Sequence, residues 1–267
     1  MKIKVLILLG ICILYSFILF GCGTAPTPES SLKISLTDAP AVDNFEQVNI
    51  TITEVAIAKS TDENTPDWIT LSNTPQEFDL MQLSGGALAT LGVKDLAPGH
   101  YSQIRFTVFE GEVVVGGTTY PLQVNSGTVK LTNAFDLVDG ITTELIVDFD
   151  VAHSINKSGS GLNVQYEMTP VTRVIDKATT GAISGTVSLN PSAPDVLITV
   201  STTDGVNQIA TLCKDDGTFL LGYLPVGTYN LTIEATGYVS DTSLTGITVT
   251  EGVVTPAGSV TLIQPAP

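Results

Sequence analysis

Hydrophobic and polar residues alternate with a period of two along most of the chain after residue 31. This spacing places every second side chain on one face, which is typical of a β-strand with one buried side. The parity of the apolar positions changes between Ile52 and Val55, which predicts a β-bulge near Glu54. Only the segment 86–93 has a spacing that fits a short helix. The alternating segments of the first half lie at 32–36, 48–57, 104–108, 120–124, 145–151 and 162–168.

The second half of the chain shows the same alternation in shorter segments. The polar stretch 176–180 lacks it and is the predicted domain boundary. Seven short strands, separated by turn residues, are predicted within 183–263. The pattern therefore predicts an all-β protein with two β-sandwich domains in tandem, at residues 32–176 and 181–264.

A six-residue segment that ends in tyrosine occurs once in each predicted domain. Its sequence is Leu-Ala-Pro-Gly-His-Tyr at 96–101 and Leu-Pro-Val-Gly-Thr-Tyr at 224–229. Proline and glycine favour a tight turn, and an alternating apolar segment follows each copy. Each segment is predicted to lead the chain into a strand whose first ring, Tyr101 or Tyr229, faces the core. The repetition indicates that both domains use one architecture.

The N-terminus has the pattern of a secretory signal. Lys2 and Lys4 precede an almost wholly apolar run at 5–20, and a polar stretch without basic residues follows Cys22. The pattern resembles a bacterial lipoprotein signal, which implies cleavage before Cys22 and acylation of its thiol. The predicted signal peptide is 1–21 and the tether is 22–31, with an ordinary N-terminal membrane anchor as the alternative. Because Gly rather than Asp follows the cysteine, the resemblance favours the outer membrane of the cell envelope if the organism is Gram-negative.

Charge and cysteine content narrow the function classes. The formal net charge of the chain is −16, and loss of the two signal lysines would make it more negative. Such a surface repels nucleic acid and anionic lipid headgroups, so the predicted membrane link is the lipid anchor itself. Cys213 would be the one cysteine left beside the acylated Cys22, so no intramolecular disulfide is expected.

The second half contains four motifs, Ile-Ser-Gly-Thr-Val at 183–187, Asp-Gly-Thr-Phe at 216–219, Leu-Pro-Val-Gly-Thr-Tyr at 224–229 and Ala-Thr-Gly-Tyr at 235–238. By these motifs it resembles the carboxypeptidase-regulatory-like domain, a small prealbumin-type β-sandwich. The resemblance covers residues 180–264 and implies a β-sandwich fold.

The first half contains the motifs Leu-Thr-Asp-Ala-Pro at 36–40, Phe-Asp-Leu at 78–80, Pro-Gly-His-Tyr at 98–101, Asp-Phe-Asp at 148–150 and Pro-Val at 170–171. By these motifs the segment at about 31–176 resembles an uncharacterised domain of bacterial envelope lipoproteins. This resemblance implies an envelope location and no assigned chemistry.

Three aspartates are the candidate metal ligands. Asp148 and Asp150 project from the polar face of the predicted strand 144–151, about 6.5–7 Å apart along the chain. Two carboxylates at this spacing suit calcium, with Asp38 or a backbone carbonyl completing the oxygen shell. The alternatives are a solvated strand face, or carboxylates neutralised by Arg105 or Arg173. No cofactor is expected otherwise.

No spacing of residues indicates a catalytic site, so the protein is expected not to be an enzyme. His100 and His153 have no metal-type spacing, and the sequence contains no nucleophile elbow and no phosphate-cradling loop. The expected function is that of a non-catalytic structural or adhesion module, with another envelope protein as partner. The alternative is a polysaccharide-binding lipoprotein, with Trp68, Tyr223 and Tyr238 as the candidate ligand-binding rings. Core packing explains the same aromatic residues.

Overall fold

A computed structural model describes residues 29–39, 45–59, 66–125, 127–160, 163–193 and 196–266. The predicted signal peptide, most of the tether and the acylation candidate Cys22 lie outside these residues. Nearly all regular structure in the described ranges is β-strand, which confirms the all-β prediction.

The strands that precede residue 177 are fourteen in number within the described ranges. A 3-10 helix at Leu80–Leu83 and a short α-helix at Val151–Ser154 interrupt them. The strands are β1 Ser30–Ala39, β2 Gln47–Ala58, β3 Trp68–Ser72, β4 Gln76–Asp79, β5 Ala89–Leu96, β6 Gly99–Tyr101, β7 Gln103–Val115, β8 Thr118–Val124, β9 Thr128–Leu131, β10 Phe135–Leu137, β11 Thr142–Asp150, β12 Ile155–Ser158, β13 Gln165–Met168 and β14 Thr172–Asp176.

A 3-10 helix at Lys177–Thr179 follows β14 and leads into the remaining strands. These strands are β15 Thr180–Asn190, β16 Ile198–Thr203, β17 Gln208–Leu212, β18 Thr218–Pro225, β19 Gly227–Tyr229, β20 Thr232–Ala235, β21 Ile247–Val249 and β22 Val254–Ile263.

Two separate hydrophobic cores organise these strands. The first contains buried residues between Leu32 and Met168, and the second contains buried residues between Ile183 and Leu262. We call residues 29–176 the first domain and residues 180–266 the second domain. The burial of long apolar strand faces on two cores is the main stabilising contribution in each.

The first domain is built from two larger sheets that share the first core. One sheet has the strand order β14-β11-β1-β5, and the other has the order β12-β13-β8-β7-β2-β3 with β4 on β2 and β9 on β7. Strands β6 and β10 form a separate pair. Buried residues of both larger sheets, such as Leu36 and Phe106, belong to one cluster, as in a β-sandwich.

The second domain contains three small sheets around its own core. Their strand orders are β18-β15-β22, β17-β16-β20 and β19-β21. The long β15–β22 pair is parallel, and β15–β18 is antiparallel.

One local prediction is confirmed and one is wrong. The register of β2 against β7 shifts between Ile52 and Glu54, which confirms the predicted bulge. The predicted helix at 86–93 does not form, because β5 occupies most of it and pairs antiparallel with β1. Leu91 and Leu96 of β5 are buried, so the long-range sheet pairing and burial override the local helical spacing.

Candidate functional site

Strand register brings polar side chains of the first domain together at one end of the four-stranded sheet. β1 runs parallel to β11, with Thr37 opposite Asp148 and Asp38 opposite Phe149. β14 runs antiparallel to β11 on its other side and places Arg173 opposite Asp148. Sequence-distant residues therefore meet here because three neighbouring strands share one register.

The second domain covers this end of the sheet. A small cavity lies between the domains, and we call the contacts around it the junction. Its first-domain wall includes Asp38, Asp148 and Arg173, and its second-domain wall includes Thr211 and Tyr223. The charged side chains that line the cavity therefore all come from the first domain, and the second domain contributes uncharged residues.

Arg173 links carboxylates of both domains. Its Nε and Nη2 donate to Oδ2 of Asp148, at 2.7 and 2.6 Å. Its Nη1 lies 3.4 Å from Oδ2 of Asp204, which belongs to the turn between β16 and β17. The three side chains are 18%, 11% and 14% exposed in the order Arg173, Asp148, Asp204, so water screens these ion pairs much less than it screens surface pairs.

Asp204 is held in place by its own turn. Its Oδ1 accepts hydrogen bonds from the backbone N–H groups of Val206 and Asn207, and the Asn207 amide donates to its Oδ2. Burial alone would raise the pKa of Asp204, but the hydrogen bonds from Asn207 and Val206, together with the Arg173 charge, lower it below its usual value. The carboxylate that faces Arg173 is therefore stabilised in its charged form.

Asp38 is almost fully buried beside these groups. Its Oδ1 accepts a hydrogen bond from the backbone N–H of Val151 at 3.2 Å, and its Oδ2 has no partner among the described residues. Burial raises the pKa of Asp38 well above its usual value, and the Val151 hydrogen bond offsets only part of this. Burial also raises the pKa of Asp148, against the opposing effect of Arg173.

Asp150 is partly buried and has local partners. Its Oδ1 accepts from the backbone N–H of His153 at 3.0 Å, and its Oδ2 lies 2.7 Å from His153 Nδ1. This arrangement caps the helix Val151–Ser154. Within the described ranges, no three Asp, Glu, His or Cys side chains are arranged to hold one metal ion. Calcium binding by Asp38, Asp148 and Asp150 stays a prediction from the sequence.

The expectation of a solvated face at Asp148 is wrong, and the neutralising arginine is Arg173. Asp148 is buried because the second domain and Arg173 cover it. Arg105, the other candidate, pairs with Glu54 at 3.0 Å. Arg105 also stacks on the ring of Trp68, with 4.2 Å between the guanidinium carbon and the ring centroid.

A second set of charges lies near the linker between the domains. Glu144 of β11 pairs with Lys33 of β1 at 3.0 Å and with Lys177 of the linker helix. Hydrogen bonds from Lys177 and then Lys33 lower the pKa of Glu144. The linker is therefore fixed to the first domain by an ion pair next to the junction.

Tyr223 connects the second domain to the first by its hydroxyl. The hydroxyl donates to the carbonyl oxygen of Gly86 at 2.8 Å. The backbone of Tyr223 has a φ of 55°, which is unusual for a bulky residue and costs about 1–2 kcal/mol. The neighbouring Gly222 has no side chain, and a Cβ there would lie 3.4 Å from the Cα of Gly86. That distance is an ordinary van der Waals contact, whereas the φ of 84° at Gly86 itself favours glycine there.

The three candidate ligand-binding rings have different protein partners. Tyr223 lies in the junction, Trp68 is covered on one face by Arg105, and the hydroxyl of Tyr238 donates to the carbonyl of Pro191. Each ring is thus engaged by a different part of the protein, and ligand binding by these rings stays a prediction from the sequence. The residues that sequence reasoning missed are Asp204, Thr211 and Gly86, and no local pattern marks them because their contacts cross between domains.

The chain belongs to the family described as a domain of unknown function (DUF4382), whose profile matches residues 29–170. This match covers the first domain and assigns it no activity. No curated protein matches the chain. No helix within the described ranges combines the length and the hydropathy that a membrane span requires.

Solved structures that resemble the chain share little sequence with it. The TIE protein of Bacillus anthracis is 13% identical, with a TM-score of 0.27, over 92% of this chain and 42% of that one. The minor pilin GBS52 of Streptococcus agalactiae is 14% identical, with a TM-score of 0.25, over 88% and 97%. A putative adhesin of Bacteroides ovatus is 10% identical, with a TM-score of 0.25, over 94% and 99%. The chain thus spans less than half of the TIE protein, and likenesses this weak carry no functional argument.

Proposed function

We propose that this protein is a non-catalytic structural or adhesion module of the bacterial cell envelope, in which two β-domains are docked as one unit. The observation that carries the proposal is the link from Arg173 to Asp148 in the first domain and to Asp204 in the second. A buried pair of this kind is strongly orientation-dependent, because a partner that moves away leaves an uncompensated charge.

Two further polar contacts also hold the domains and their linker in place. Tyr223 donates to Gly86 across the junction, and Lys177 fixes the linker to Glu144. These groups are engaged in holding the domains together, which suits a load-transmitting or spacing role. Cys213 also fits a non-catalytic reading, because burial and then the nearby Asp216 raise the pKa of its thiol to about 11.

The envelope location rests on the N-terminal sequence pattern. Lipidation at Cys22 would anchor the module, and the residue after it favours the outer membrane in a Gram-negative organism. The partner we propose is another envelope protein. Polysaccharide binding is not favoured by any contact described above, because Trp68, Tyr223 and Tyr238 each have separate protein partners.

The experiment is a distance measurement between the domains. Spin-labelled unnatural amino acids replace the exposed residues Val93 and Val239 in the full chain, held in detergent. We expect one narrow distance distribution at neutral pH. The variant Arg173→Met with Tyr223→Phe should broaden it, and the control Asp136→Asn, which alters an exposed pair with His100, should not. A broad distribution in the unmodified protein would overturn the docked-module proposal.

A further inference from the structure

Two exposed aliphatic side chains flank one turn of the first domain. Val138 and Ile141 are each 53% exposed, and neither belongs to the buried cluster that forms the first core. The Ile141 N–H donates to the carbonyl oxygen of Val138 at 3.1 Å, and Gly140 between them has a φ of 70°, which glycine adopts without strain. Buried Leu137 fixes the start of the turn to the core. The turn therefore presents both side chains to the surroundings.

The chain enters the first domain beside this turn. The Gly140 N–H donates to the carbonyl oxygen of Glu29, and the Ser31 N–H donates to that of Ile141, both at 3.1 Å. β1 then runs parallel to β11 and leads away from the turn, with Ser31 opposite Thr142. We call residues 29–31 and 138–141 the entry end of the first domain. Its two backbone hydrogen bonds fix the exposed side chains relative to the point where the tether arrives.

The predicted acylation site is close to the entry end along the chain. Glu29 follows Cys22 by seven residues, a length that can span at most about 25 Å. The junction lies at the other end of the same sheet, because Asp148 follows Thr142 by six residues of β11, about 20 Å. An acyl group on Cys22 would therefore keep the entry end near the bilayer, while the junction can lie farther from it.

We propose that Val138 and Ile141 insert into the interface of the lipid bilayer to which Cys22 is anchored, so that the entry end is the membrane-facing surface of the module. The proposal rests on the lipid anchor of the proposed function and deepens it by naming the surface that faces the membrane. Transfer of aliphatic side chains out of water is favourable. Two side chains are too few to retain the protein without the acyl group, but they limit how it can rotate on its tether.

The bilayer is the occupant that the tether favours. A tethered bilayer has a high effective concentration at the entry end, which a freely diffusing protein partner does not have. Electrostatic attraction does not contribute, because Glu29 and the exposed Asp139 are acidic and the whole chain has a formal net charge of −16. The contact should therefore form on a bilayer of zwitterionic lipid, and it should persist at high salt because salt screens only charges.

The test measures the depth of two labelled positions in the full acylated chain, bound to phosphatidylcholine vesicles. Cys213→Ser removes the remaining thiol, and a fluorophore sensitive to solvent polarity is attached to Asp139→Cys between the two side chains. The comparison label is at Val206→Cys, a residue that is 90% exposed in the turn between β16 and β17 at the junction. The variant Val138→Ser with Ile141→Ser is measured with the label at position 139, and Val206→Ser is its matched control.

We expect spin-labelled lipid to quench the label at position 139 several-fold more than the label at position 206, at low and at high salt. Val138→Ser with Ile141→Ser should remove most of that quenching, and Val206→Ser should not change it. The inference is overturned if membrane-bound protein shows equal quenching at both positions, or if the double variant is quenched like the unmodified sequence. A protein that does not stay with the vesicles would instead remove the proposed lipid anchor, and the inference with it.

Discussion

Tyr101 and Tyr229 make the same hydrogen bond at equivalent positions of the two domains. The Tyr101 hydroxyl donates to the carbonyl oxygen of Ala97 at 2.9 Å, and the Tyr229 hydroxyl donates to that of Pro225 at 2.7 Å. In both cases the acceptor lies four residues earlier, within the repeated six-residue segment. Each ring is buried at the end of a three-residue strand rather than at the start of the next strand, and its hydroxyl fixes the preceding turn against the core.

Removing either hydroxyl should destabilise its own domain by a similar amount. We expect Tyr101→Phe and Tyr229→Phe each to lower the free energy of unfolding by about 0.5–1.5 kcal/mol, because the ring stays packed while one hydrogen bond is lost. Urea denaturation measures the change. Tyr120→Phe is the control, since the Tyr120 hydroxyl makes no hydrogen bond to the described residues. A loss at Tyr120 as large as at the other two would contradict the role assigned to these hydroxyls.

The glycine of the β17–β18 turn should tolerate alanine less well than a glycine in open space. Gly217 and Gly237 both have positive φ, at 78° and 85°. A Cβ at Gly217 would lie 2.2 Å from the carbonyl oxygen of Val187, whereas no atom lies within 4 Å of a Cβ at Gly237. Alanine costs about 1–2 kcal/mol from backbone strain at both sites, and the clash adds to this only at Gly217. Thermal unfolding that gives equal losses for Gly217→Ala and Gly237→Ala would refute this prediction.

The Cys213 thiol should react slowly in the folded protein. Burial and the Asp216 carboxylate raise its pKa from 9.0 to about 11, which lowers the thiolate fraction near pH 8 by about a hundredfold. Alkylation rates measured against pH, in a Cys12→Ser, Cys22→Ser background, test this. Unfolding in urea should restore ordinary reactivity, which makes the denatured chain its own control. An inflection near pH 9 in the folded protein would show that the thiol is not perturbed.

Features that depend on neighbouring residues along the chain could be predicted from the sequence. The bulge at Glu54 follows from a change of parity between Ile52 and Val55, because the strand must keep both apolar sets facing one core. The inward rings of Tyr101 and Tyr229 follow in the same way from the turn that precedes them. Local spacing is sufficient to predict these features, because alternation with a period of two specifies which side chains of a strand face the core.

Features that depend on the second domain could not be predicted. Asp148 lies on the side of β11 away from the apolar face, which favoured a solvated carboxylate, yet it is buried by contacts that come from Arg173 and from the other domain. Tyr223 was a candidate ligand-binding ring, but its hydroxyl is bonded to Gly86, more than a hundred residues away. Period and turn signals carry no information on which surfaces of two folded domains meet.

The proposed lipid anchor leads to a direct test at Cys22. We expect Cys22→Ala to prevent acylation and to release the protein from the membrane fraction, because the acylated thiol is the only proposed attachment of a strongly acidic chain. Metabolic labelling with radioactive palmitate and membrane fractionation measure the two effects. Cys213→Ala is the matched control and should label normally. Normal labelling of Cys22→Ala would place the acyl group elsewhere, and membrane retention without labelling would support an uncleaved N-terminal anchor.

Arg173 should be the residue whose loss most weakens the junction. Replacing it with methionine keeps much of the side-chain volume but leaves Asp148 as a buried carboxylate without its counter-charge, and frees Asp204 from the first domain. Breaking one partner of such a pair typically costs about 3–5 kcal/mol. We therefore expect Arg173→Met to lower the free energy of unfolding by an amount in that range.

Adding Asp148→Asn to Arg173→Met should recover part of the lost stability, because the amide carries no charge. Calorimetry of both variants, with Asp136→Asn at the exposed His100 pair as the control, measures these differences. If the double variant is no more stable than Arg173→Met alone, the uncompensated Asp148 charge is not the cause of the loss.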